Sequence, residues 1–554
     1  MLKKILVPCA LLALSPAVLS APPITGGQLQ QMPLVPAAPK ALPDIGLDRT
    51  RPTAVLAADS ARIVVQKLTV SGAASFSESS LVEQSGFVPG STVNITELRT
   101  MAARIEDFYC HNGYFVAFAY LPAQDIKNGK ITIAVVEGQY GQIKLNNESA
   151  VSDAVAYGLL DGLNPGDPIT SAPLERRLLT LSDLPGVKVR STLVPGSAPG
   201  TSDLLVDLVP GPRISGSVDA DNAGNRYTGA NRIGATVNLN EPLGLGDVAS
   251  LRALTSGPGL SFLRGTYQLQ LGKARVGVAY SALRYALGEE FESLGAHGTA
   301  EVASVFGSVA LIRSRRSNLN FGLTYDAKTY QDQIDSAPSV GDKTAQVLTA
   351  SLSGDSMDRL GGGGSNVYAV AISAGEIDLK TPSTRTIDGA TANTQGHFNK
   401  LSYSAARLQN ITESLSFYAS INGQVASKNL DVSEKMELGG MAGVRAYPEG
   451  EAYADEGYLI NLEARLALPN SSSTMPGQWQ LIGFVDAGTV KTTKSPWAIG
   501  PNSRTLSGAG IGLNWSETNN FMVRAYYAVK LGDEAPTSGP DAPGRFWIQG
   551  VKYF

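Results

Sequence analysis

The chain has 554 residues, of which 17% are charged, and its formal net charge is −4. A soluble globular chain usually carries about 25% charged residues, and a net negative chain provides no basic field to hold nucleic acid. Only three His and two Cys residues are present, which leaves little material for a metal site. We therefore expect no nucleic-acid partner, no metal and no cofactor.

Residues 1–20 have the pattern of an export signal. Two lysines precede an apolar run over residues 5–14, and small residues follow as far as Ser20, which is the order of the charged, apolar and cleavage regions of a signal peptide. Cys9 lies inside the apolar run rather than after it, which argues against lipid attachment. Cleavage leaves Cys110 as the single cysteine, so we expect no intrachain disulfide in this exported bacterial protein.

Residues 21–60 are predicted to form a tether. Seven prolines are spread along this segment, and prolines at this frequency favour extended conformations. Only residues 26–32 could form one or two helical turns. No later segment offers the roughly 18 consecutive apolar residues of a membrane helix, which leaves a periplasmic protein, a secreted protein or an outer-membrane barrel.

Residues 61–138 have the pattern of a compact β-α-α-β-β module. The predicted elements are a strand over residues 63–70, helices over 77–84 and 95–111, and strands over 114–121 and 130–137. Leu98 and Ile105 belong to the apolar stripe of the second helix, and Thr96 is the predicted cap. The Asn128-Gly129 pair before the last strand is a hairpin signal.

Residues 139–211 repeat the same order. The predicted elements are a strand over residues 141–145, helices over 152–159 and 173–184, and strands over 187–193 and 203–208. Two tandem modules of one order and similar length form a repeat at the level of structure.

Residues 212–554 lose the helical periodicity. Segments of about ten residues alternate apolar with small or polar side chains, separated by clusters of Gly, Asn, Asp and Ser. A lipid-facing barrel wall needs this dyad repeat, and roughly 340 residues supply on the order of 16 antiparallel strands. A soluble sandwich or propeller would alternate similarly, but the aromatic chain end at Phe554 is common in outer-membrane barrels. The predicted fold is two α/β modules followed by an all-β transmembrane barrel.

Two motifs stand within the barrel segment. The first comprises Gly443, Val444, Arg445, Ala446 and Tyr447, and the second comprises Gly483, Phe484, Asp486 and Gly488. With the signal, the tether, the two modules and the barrel, they resemble the outer-membrane transporters of two-partner secretion, known as TpsB proteins or as the haemolysin-activator and filamentous-haemagglutinin-transporter type. The modules resemble the POTRA domains of that family.

The resemblance implies that the first motif lies on a loop folded into the barrel lumen, where Arg445 pairs with Asp486. An arginine in a narrow lumen is partly desolvated, and removing its partner typically costs roughly 3–5 kcal/mol. A bidentate contact also fixes orientation. The pair is therefore expected to hold the loop in one state yet to separate when substrate enters. Without the resemblance, the same residues would be an ordinary turn and an ordinary lumen Asp.

Ala446 departs from the family pattern, which has Gly between the arginine and the tyrosine. If that position requires a positive φ, we expect Ala446 to strain the turn by about 1 kcal/mol or more. A further motif over residues 311–319 resembles the start of a barrel strand in this family. Its arginines, Arg313, Arg315 and Arg316, could line the pore or lie at its rim, and we expect pore lining for one or two of them.

The function implied by the resemblance is translocation of one unfolded exoprotein from the periplasm to the cell surface without nucleotide. POTRA strand edges accept extended chains by β-augmentation, and Ile143, Leu145 and the strand around Val206 are candidate edge positions. We expect a TpsA-type exoprotein and outer-membrane lipids as partners, and a monomeric chain.

Three alternatives are less consistent with the sequence. An assembly factor of the same superfamily usually carries more than two modules, often five. A passive porin would have no reason for periplasmic modules. The enzyme alternative is not supported, because the sequence has no recognisable set of catalytic residues. His111, His297 and His397 are isolated, and the glycine run over residues 361–364 lacks the Gly-Lys-Ser/Thr of a phosphate-binding loop.

Overall fold

The computed structural model describes residues 25–29, 44–47, 62–336, 339–469 and 476–554. The predicted signal peptide and most of the predicted tether lie outside these residues. The helices are α1 (Gly26–Leu29), α2 (Glu78–Ser85), α3 (Ile95–His111), α4 (Asp153–Leu160), α5 (Ser171–Ser182) and α6 (Pro382–Ala390). Among the described residues, no helix is both long enough and apolar enough to cross a membrane.

Nine strands precede the barrel. They are β1 (Asp44–Leu47), β2 (Ile63–Val65), β3 (Lys67–Ser71), β4 (Ser91–Val93), β5 (Phe118–Tyr120), β6 (Lys130–Val136), β7 (Gln139–Asn147), β8 (Val187–Pro195) and β9 (Thr201–Pro210). In the first module, β3, β6 and β5 form a sheet with β6 in the centre, and β2 pairs with β4. The single strand predicted over residues 63–70 is therefore interrupted at Gln66, whose N–H donates to the Gly129 carbonyl at 2.8 Å.

Helix α3 begins where the sequence predicts, but its cap is Asn94 rather than Thr96. The Asn94 side chain accepts from the Glu97 N–H at 2.8 Å, and the Glu97 carboxylate accepts from the Asn94 N–H at 2.7 Å. This reciprocal capping box satisfies two backbone donors that a helix start leaves without intrahelical partners.

The second module has a four-stranded sheet in the order β1-β8-β9-β7. The tether strand β1 pairs in parallel with β8, so it covers that edge of the sheet. Val206 lies on β9, between β8 and β7, and the predicted edge position at Val206 is therefore wrong. Ile143 and Leu145 lie on β7, whose outer side pairs with no strand in the described parts of the chain.

The two modules and the barrel are in direct contact. The Ser171 N–H donates to the Gly113 carbonyl at 2.9 Å, and Phe115 and Val116 of the first module pack against the core of the second. The second module in turn contacts a barrel turn, where the Ser152 N–H donates to the Gly244 carbonyl at 2.8 Å. These backbone contacts fix the modules at one end of the barrel.

The barrel is closed and has 16 antiparallel strands, which confirms the predicted fold class. They are β10 (Ile214–Asp221), β11 (Arg232–Asn240), β12 (Val248–Thr255), β13 (Leu260–Leu271), β14 (Ala274–Ala286), β15 (Ala296–Arg313), β16 (Ser317–Ile334), β17 (Ser339–Asp358), β18 (Gly364–Leu379), β19 (Gly396–Asn410), β20 (Leu415–Ala426), β21 (Glu456–Ala467), β22 (Gln478–Lys491), β23 (Ser503–Glu517), β24 (Phe521–Lys530) and β25 (Arg545–Tyr553). Each strand pairs with its neighbours in chain order, and β10 pairs with β25 to close the wall.

The dyad pattern assigns the two faces of each strand. On β16, Leu323 and Tyr325 are exposed on the outer wall, whereas Lys328 and Tyr330 line a cavity inside the barrel. Because successive side chains of a strand point to opposite faces, apolar side chains cover the outside and polar ones fill the lumen. That arrangement is required of a barrel wall in lipid.

Candidate functional site in the barrel lumen

Residues 427–455, between β20 and β21, form the lumen loop, which folds back into the barrel. The Val444 N–H donates to the Leu438 carbonyl at 2.8 Å, and the Gly440 N–H donates to the Tyr447 carbonyl at 3.2 Å, so the tip is a compact double turn. Gly443 lies against the carbonyls of Leu438 and Gly439 at a distance that leaves no room for a Cβ. The loop tip is thereby fixed by its own backbone.

Arg445 and Asp486 meet inside the lumen. Nε of Arg445 donates to Oδ2 of Asp486 at 2.9 Å, Nη2 donates to Oδ1 at 2.7 Å, and the Arg445 backbone N–H donates to Oδ2 at 3.1 Å. Asp486 is fully buried on β22, and Arg445 is 4% exposed. A bidentate pair shielded from water in this way fixes both orientation and distance.

Two further polar residues of β21 complete the contact. Glu463 accepts from Nη1 of Arg445 at 2.8 Å, and Asn461 donates to Oδ1 of Asp486 at 2.8 Å. The guanidinium of Arg445 thus has two carboxylate partners, and Asn461 also donates to the Gly443 carbonyl at 3.1 Å. Neither Glu463 nor Asn461 was predicted from the sequence.

Aromatic rings surround the arginine. The Phe484 ring centre lies 3.5 Å from Cζ of Arg445, and the Tyr526 ring centre lies 5.0 Å from it. A cation over an aromatic face gains roughly 2 kcal/mol when desolvated. Trp547 of β25 donates from Nε1 to the Arg445 carbonyl at 2.7 Å, so the terminal strand also contacts the loop.

The glycines of the second motif lie on opposite faces of β22. Gly488 faces inward, where a Cβ would overlap the Leu438 side chain of the lumen loop. Gly483 is exposed, and nothing lies near the position that its Cβ would take. Gly488 therefore provides space for the loop, whereas Gly483 makes no contact with it.

Ala446 does not have a positive φ, so the strain predicted for this substitution is absent. Its side chain is 2% exposed and packs against Gly508 of β23. A Cβ on Gly508 would lie 2.5 Å from the Ala446 Cβ. The extra methyl group of Ala446 is therefore accommodated by a glycine on the wall.

We expect Gly508→Ala to destabilise the closed loop, because it places two methyl groups in the space of one. Overpacking of this kind typically costs about 1–3 kcal/mol. The measurement is heat modifiability in gel electrophoresis, that is, the temperature at which the faster-migrating band of the folded barrel disappears. Gly508→Ala is expected to lower that temperature, and the double variant Ala446→Gly/Gly508→Ala is expected to restore it. A double variant no more stable than Gly508→Ala would contradict this packing.

Residues 531–544, between β24 and β25, form the cap loop, which holds the other end of the lumen loop. Glu451 is fully buried and accepts from the backbone N–H of Thr537 at 2.9 Å and of Ser538 at 2.8 Å. Both hydroxyls donate to it at 2.7 Å, and Arg504 of β23 pairs with the same carboxylate. Tyr447 donates from its hydroxyl to the Glu534 carbonyl at 3.0 Å.

Burial by itself raises the pKa of the Glu451 carboxyl. The hydrogen bonds from Ser538 and Thr537 and the charge of Arg504 outweigh burial and hold this pKa below its ordinary value. A carboxylate that accepts several hydrogen bonds is stabilised in its charged form. Glu451 is therefore a second charged attachment of the lumen loop, six residues after Arg445.

The short helix α1 lies inside the lumen. Its Gly26 N–H donates to Oδ1 of Asp332 at 3.2 Å, and Tyr285 donates to the same oxygen at 2.6 Å. Leu29 belongs to a cluster of buried barrel residues, and Gly27 lies against Ser433 of the lumen loop. The single helical turn over Gly26–Leu29 is thus located between the loop and the wall, whereas residues 30–32 of the segment considered for one or two turns lie outside the described residues.

The predicted pore lining by Arg313, Arg315 and Arg316 is not what the structure shows. These residues lie at and after the end of β15, in the turn that faces the second module. Arg313 donates from Nε and Nη2 to the Asp183 carboxylate at 2.8 and 2.7 Å, and the Arg315 N–H donates to Glu175 at 2.7 Å. The arginines lie at the rim because β15 ends at Arg313 and the chain turns there.

We expect Arg313 and Asp183 to hold the second module against the barrel. The single variants Arg313→Asp and Asp183→Arg are expected to loosen this interface, whereas the charge-swapped double variant is expected to restore it, with an interaction energy of about 1–3 kcal/mol. The measurement is the rate of proteolysis of the segment that joins module to barrel, around Pro212. Additive effects in the double variant would show that the contact contributes nothing.

A cavity of about 580 Å³ adjoins the Arg445 contact. Its charged lining comprises Asp219, Asp221, Arg232, Arg252, Arg264, Arg445, Glu449, Glu463, Arg465 and Arg524. Several of these charges pair from strand to strand, such as Arg232 of β11 with Asp221 of β10 at 2.8 Å and Arg252 of β12 with Asp219 of β10 at 2.9 Å. Within the described residues, no three His, Cys, Asp or Glu side chains have a metal-binding arrangement. The lumen beside the loop is a polar, charged space.

A closed barrel with an apolar outer wall, a polar lumen and two α/β modules at one end is the architecture of an outer-membrane β-barrel protein. Residues 200–515 match the family model described as haemolysin secretion/activation protein ShlB/FhaC/HecB, and residues 63–138 match the ShlB-type POTRA domain. The chain belongs to this family of two-partner secretion transporters. The barrel lies in the outer membrane and the modules lie in the periplasm.

Individual relatives agree with this assignment. The heme/hemopexin transporter protein HuxB of Haemophilus influenzae (strain 86-028NP) is 29% identical over 474 residues, which are 84% of this chain and 82% of HuxB. The outer membrane transporter CdiB of Dickeya dadantii (strain 3937) is 23% identical over 368 residues, 64% of each chain.

Solved structures share the fold. CdiB from Escherichia coli superposes with a TM-score of 0.69 at 19% identity, covering 91% of this chain and 93% of that one. BamA from Haemophilus ducreyi lacking POTRA domains 1–3 gives a TM-score of 0.53 at 12% identity, covering 89% of this chain and all of that one. At these identities the likeness concerns the fold alone.

Proposed function

We propose that this transporter captures one unfolded exoprotein on its periplasmic modules and passes it through the barrel lumen to the cell surface without nucleotide. The observation that carries the proposal is the Arg445–Asp486 contact, a charged lock inside the lumen of a secretion-family barrel. The lock is buried, but Arg445 lies on the lumen loop and Asp486 on the wall, so the two can separate without breaking the barrel wall.

Among the described residues, the outer edges of β7 and β5 pair with no further strand, which supports capture by β-augmentation there. Strand β7 of the second module offers the backbone around Ile143 and Leu145, and β5 is the outer strand of the first module. Phe118 and Tyr120 on β5 are both 45% exposed, and their rings lie 5.8 Å apart. An extended chain added to such an edge gains main-chain hydrogen bonds, while the side chains on the same strand set partner preference.

The closed lumen is consistent with a gated pore. Helix α1 and the lumen loop both lie inside the barrel, so both must move before a polypeptide can pass. Energy without nucleotide would come from folding of the exoprotein outside the cell. The exoprotein of this chain is a partner of TpsA type, and HuxB and CdiB, by their names, serve heme/hemopexin transport and outer-membrane transport respectively.

The test is secretion of a candidate exoprotein encoded beside this chain. We expect Phe118→Ser/Tyr120→Ser to lower secretion by about tenfold or more, because aromatic contacts at the centre of an interface typically contribute about 2 kcal/mol each. The matched control is Tyr157→Ser, which removes an aromatic ring that is 51% exposed on helix α4 rather than on a strand edge. Equal secretion by all three chains would contradict capture at β5.

A further inference from the structure

Three lysines of the barrel wall converge on one turn of the lumen loop. Nζ of Lys328 on β16 lies 2.6 Å from Oε1 of Glu434, and Nζ of Lys400 on β19 lies 2.8 Å from Oε2. Nζ of Lys343 on β17 lies 3.0 and 3.1 Å from the two oxygens of Asp431. We call residues 431–434 the acidic turn.

These charges are largely shielded from water. Glu434 is 2% exposed, and Asp431 and Lys343 are each 8% exposed. Burying a charge is costly unless an opposite charge compensates it. Here the two carboxylates of the acidic turn contact three ammonium groups, and the wall carboxylates Asp326 and Asp332 lie near Lys328 and Lys343 respectively. If the acidic turn departs, three positive charges remain on the lumen wall with no carboxylate from the turn.

The acidic turn is also a part of the protein that can move. It belongs to the lumen loop rather than to a strand, and Ser433 lies against Gly27 of helix α1, where a Cβ on Gly27 would lie 2.6 Å from the Ser433 Cβ. Gly27, Ser433 and Lys328 also line one cavity of about 400 Å³. Open space therefore reaches Lys328, so another chain could approach this end of the lysine cluster from the lumen.

We propose that Lys328, Lys343 and Lys400 form a carboxylate-binding site on the lumen wall. The chain's own Asp431 and Glu434 occupy it at rest, and acidic side chains of the translocating polypeptide occupy it during transit. The passage of a polypeptide rests on the proposed function, but the site itself does not. Its ligand is a carboxylate because two carboxylates of this chain already fit it at hydrogen-bonding distance.

The test is block of the purified full-length channel in planar lipid bilayers by a peptide of ten glutamates. Asp431→Asn/Glu434→Gln vacates the site while keeping the side-chain shapes. We expect this variant to be blocked at about tenfold lower peptide concentration than the wild type, which corresponds to a change of about 1.4 kcal/mol in binding free energy. Its reversal potential in a KCl gradient is expected to shift toward that of chloride.

Two further variants show whether the lysines cause the block. When Lys328→Gln, Lys343→Gln and Lys400→Gln are added to the Asp431→Asn/Glu434→Gln variant, we expect the peptide block and the shift in reversal potential to disappear. Three Lys→Arg changes at the same positions keep the charge and are expected to keep both the block and the shift. If the chain with all three Lys→Gln changes fails to insert into the bilayer, Lys400→Gln alone is tested instead. It is expected to raise the peptide concentration needed for block about threefold or more. A peptide of ten lysines is the control and is expected not to block.

Equal block with and without the lysines would overturn the site, as would an unchanged response of the Asp431→Asn/Glu434→Gln variant. The proposed function fails separately. A peptide that blocks neither the wild type nor the Asp431→Asn/Glu434→Gln variant, together with normal exoprotein secretion, would reject the site alone. A blockable channel that secretes no exoprotein would reject the transport proposal and leave the site in place.

Discussion

Arg445→Ala is expected to leave the barrel inserted in the outer membrane and to lower secretion strongly. The substitution leaves Asp486 fully buried with no guanidinium partner, and breaking a buried pair in this way costs roughly 3–5 kcal/mol. A loss of about 3 kcal/mol changes the ratio of closed to open loop by a factor on the order of 100. The measurements are exoprotein in the medium and the ion conductance of the purified channel, which is expected to rise.

The matched control for this prediction is Arg252→Ala. Arg252 is also a lumen arginine, but its carboxylate partner is on the wall and is not shared with Arg445: its Nη1 and Nη2 donate to the two oxygens of Asp219 at 2.9 and 3.1 Å. We expect this variant to secrete and conduct nearly as the wild type does. Unchanged secretion by Arg445→Ala would remove the Arg445–Asp486 lock from the mechanism.

Glu451→Ala is expected to release the cap loop from the lumen loop. The substitution leaves the Thr537 and Ser538 N–H groups and the Arg504 guanidinium without the carboxylate that they share. Each buried donor left without its partner costs about 1–3 kcal/mol. We expect a cysteine at Ser538, in a chain with Cys110→Ser, to react with an external thiol reagent at least about tenfold faster when Glu451→Ala is also present.

The pH dependence of this attachment follows from the lowered pKa of Glu451. Because the folded-state pKa lies below the unfolded value, the charged carboxylate stabilises the closed loops at pH values above the unfolded pKa. That stability is lost as pH falls through the folded pKa. Acidification also removes the reactive thiolate, so the labelling rate of the Ser538→Cys cysteine is divided at each pH by the rate of the same cysteine in the unfolded chain. With Glu451 present, this ratio is expected to rise on acidification. Glu451→Gln, which cannot ionise, is expected to remove this rise. Equal pH profiles with and without Glu451→Gln would contradict the assignment of the pH dependence to Glu451.

Much of the fold is readable from the sequence because its signals are local. The apolar stripe of α3, which includes Leu98 and Ile105, requires only helical spacing, and the dyad repeat of the barrel requires only alternation along one strand. Helix α3 and the number of barrel strands were predicted for that reason. The break at Gln66 was not, because it depends on a hydrogen bond to Gly129, which is distant in the chain.

The lumen site was predictable only in part. The resemblance indicated Arg445 and Asp486 together, but Glu463 joins them from a third segment, and Lys328 and Lys343 meet the acidic turn from strands far away in the sequence. A signal for Glu463 was present, since Asn461, Glu463 and Arg465 alternate as polar residues on one face of β21. Alternation identifies a lumen-facing residue but not its partner.

The rim arginines and Ala446 show where sequence patterns fail. Whether Arg313 lines the pore depends on where β15 ends, and that end is set by its pairing with β16 and by Asp183 of the second module. The prediction for Ala446 assumed a positive φ, which a local sequence does not determine. The space that accommodates its methyl group is provided by Gly508, more than 60 residues later.

The most direct test of the central claim is whether the exoprotein passes through the lumen. A photoreactive amino acid is placed at one of two neighbouring positions of β16: Asp326, which lines the lumen cavity, or Tyr325, which is exposed on the outer wall. Transit of the exoprotein is then arrested by a folded domain fused to its trailing end. We predict a cross-link to the exoprotein from position 326 and none from position 325. A cross-link from position 325 alone, or from neither position while secretion continues, would contradict passage through the barrel.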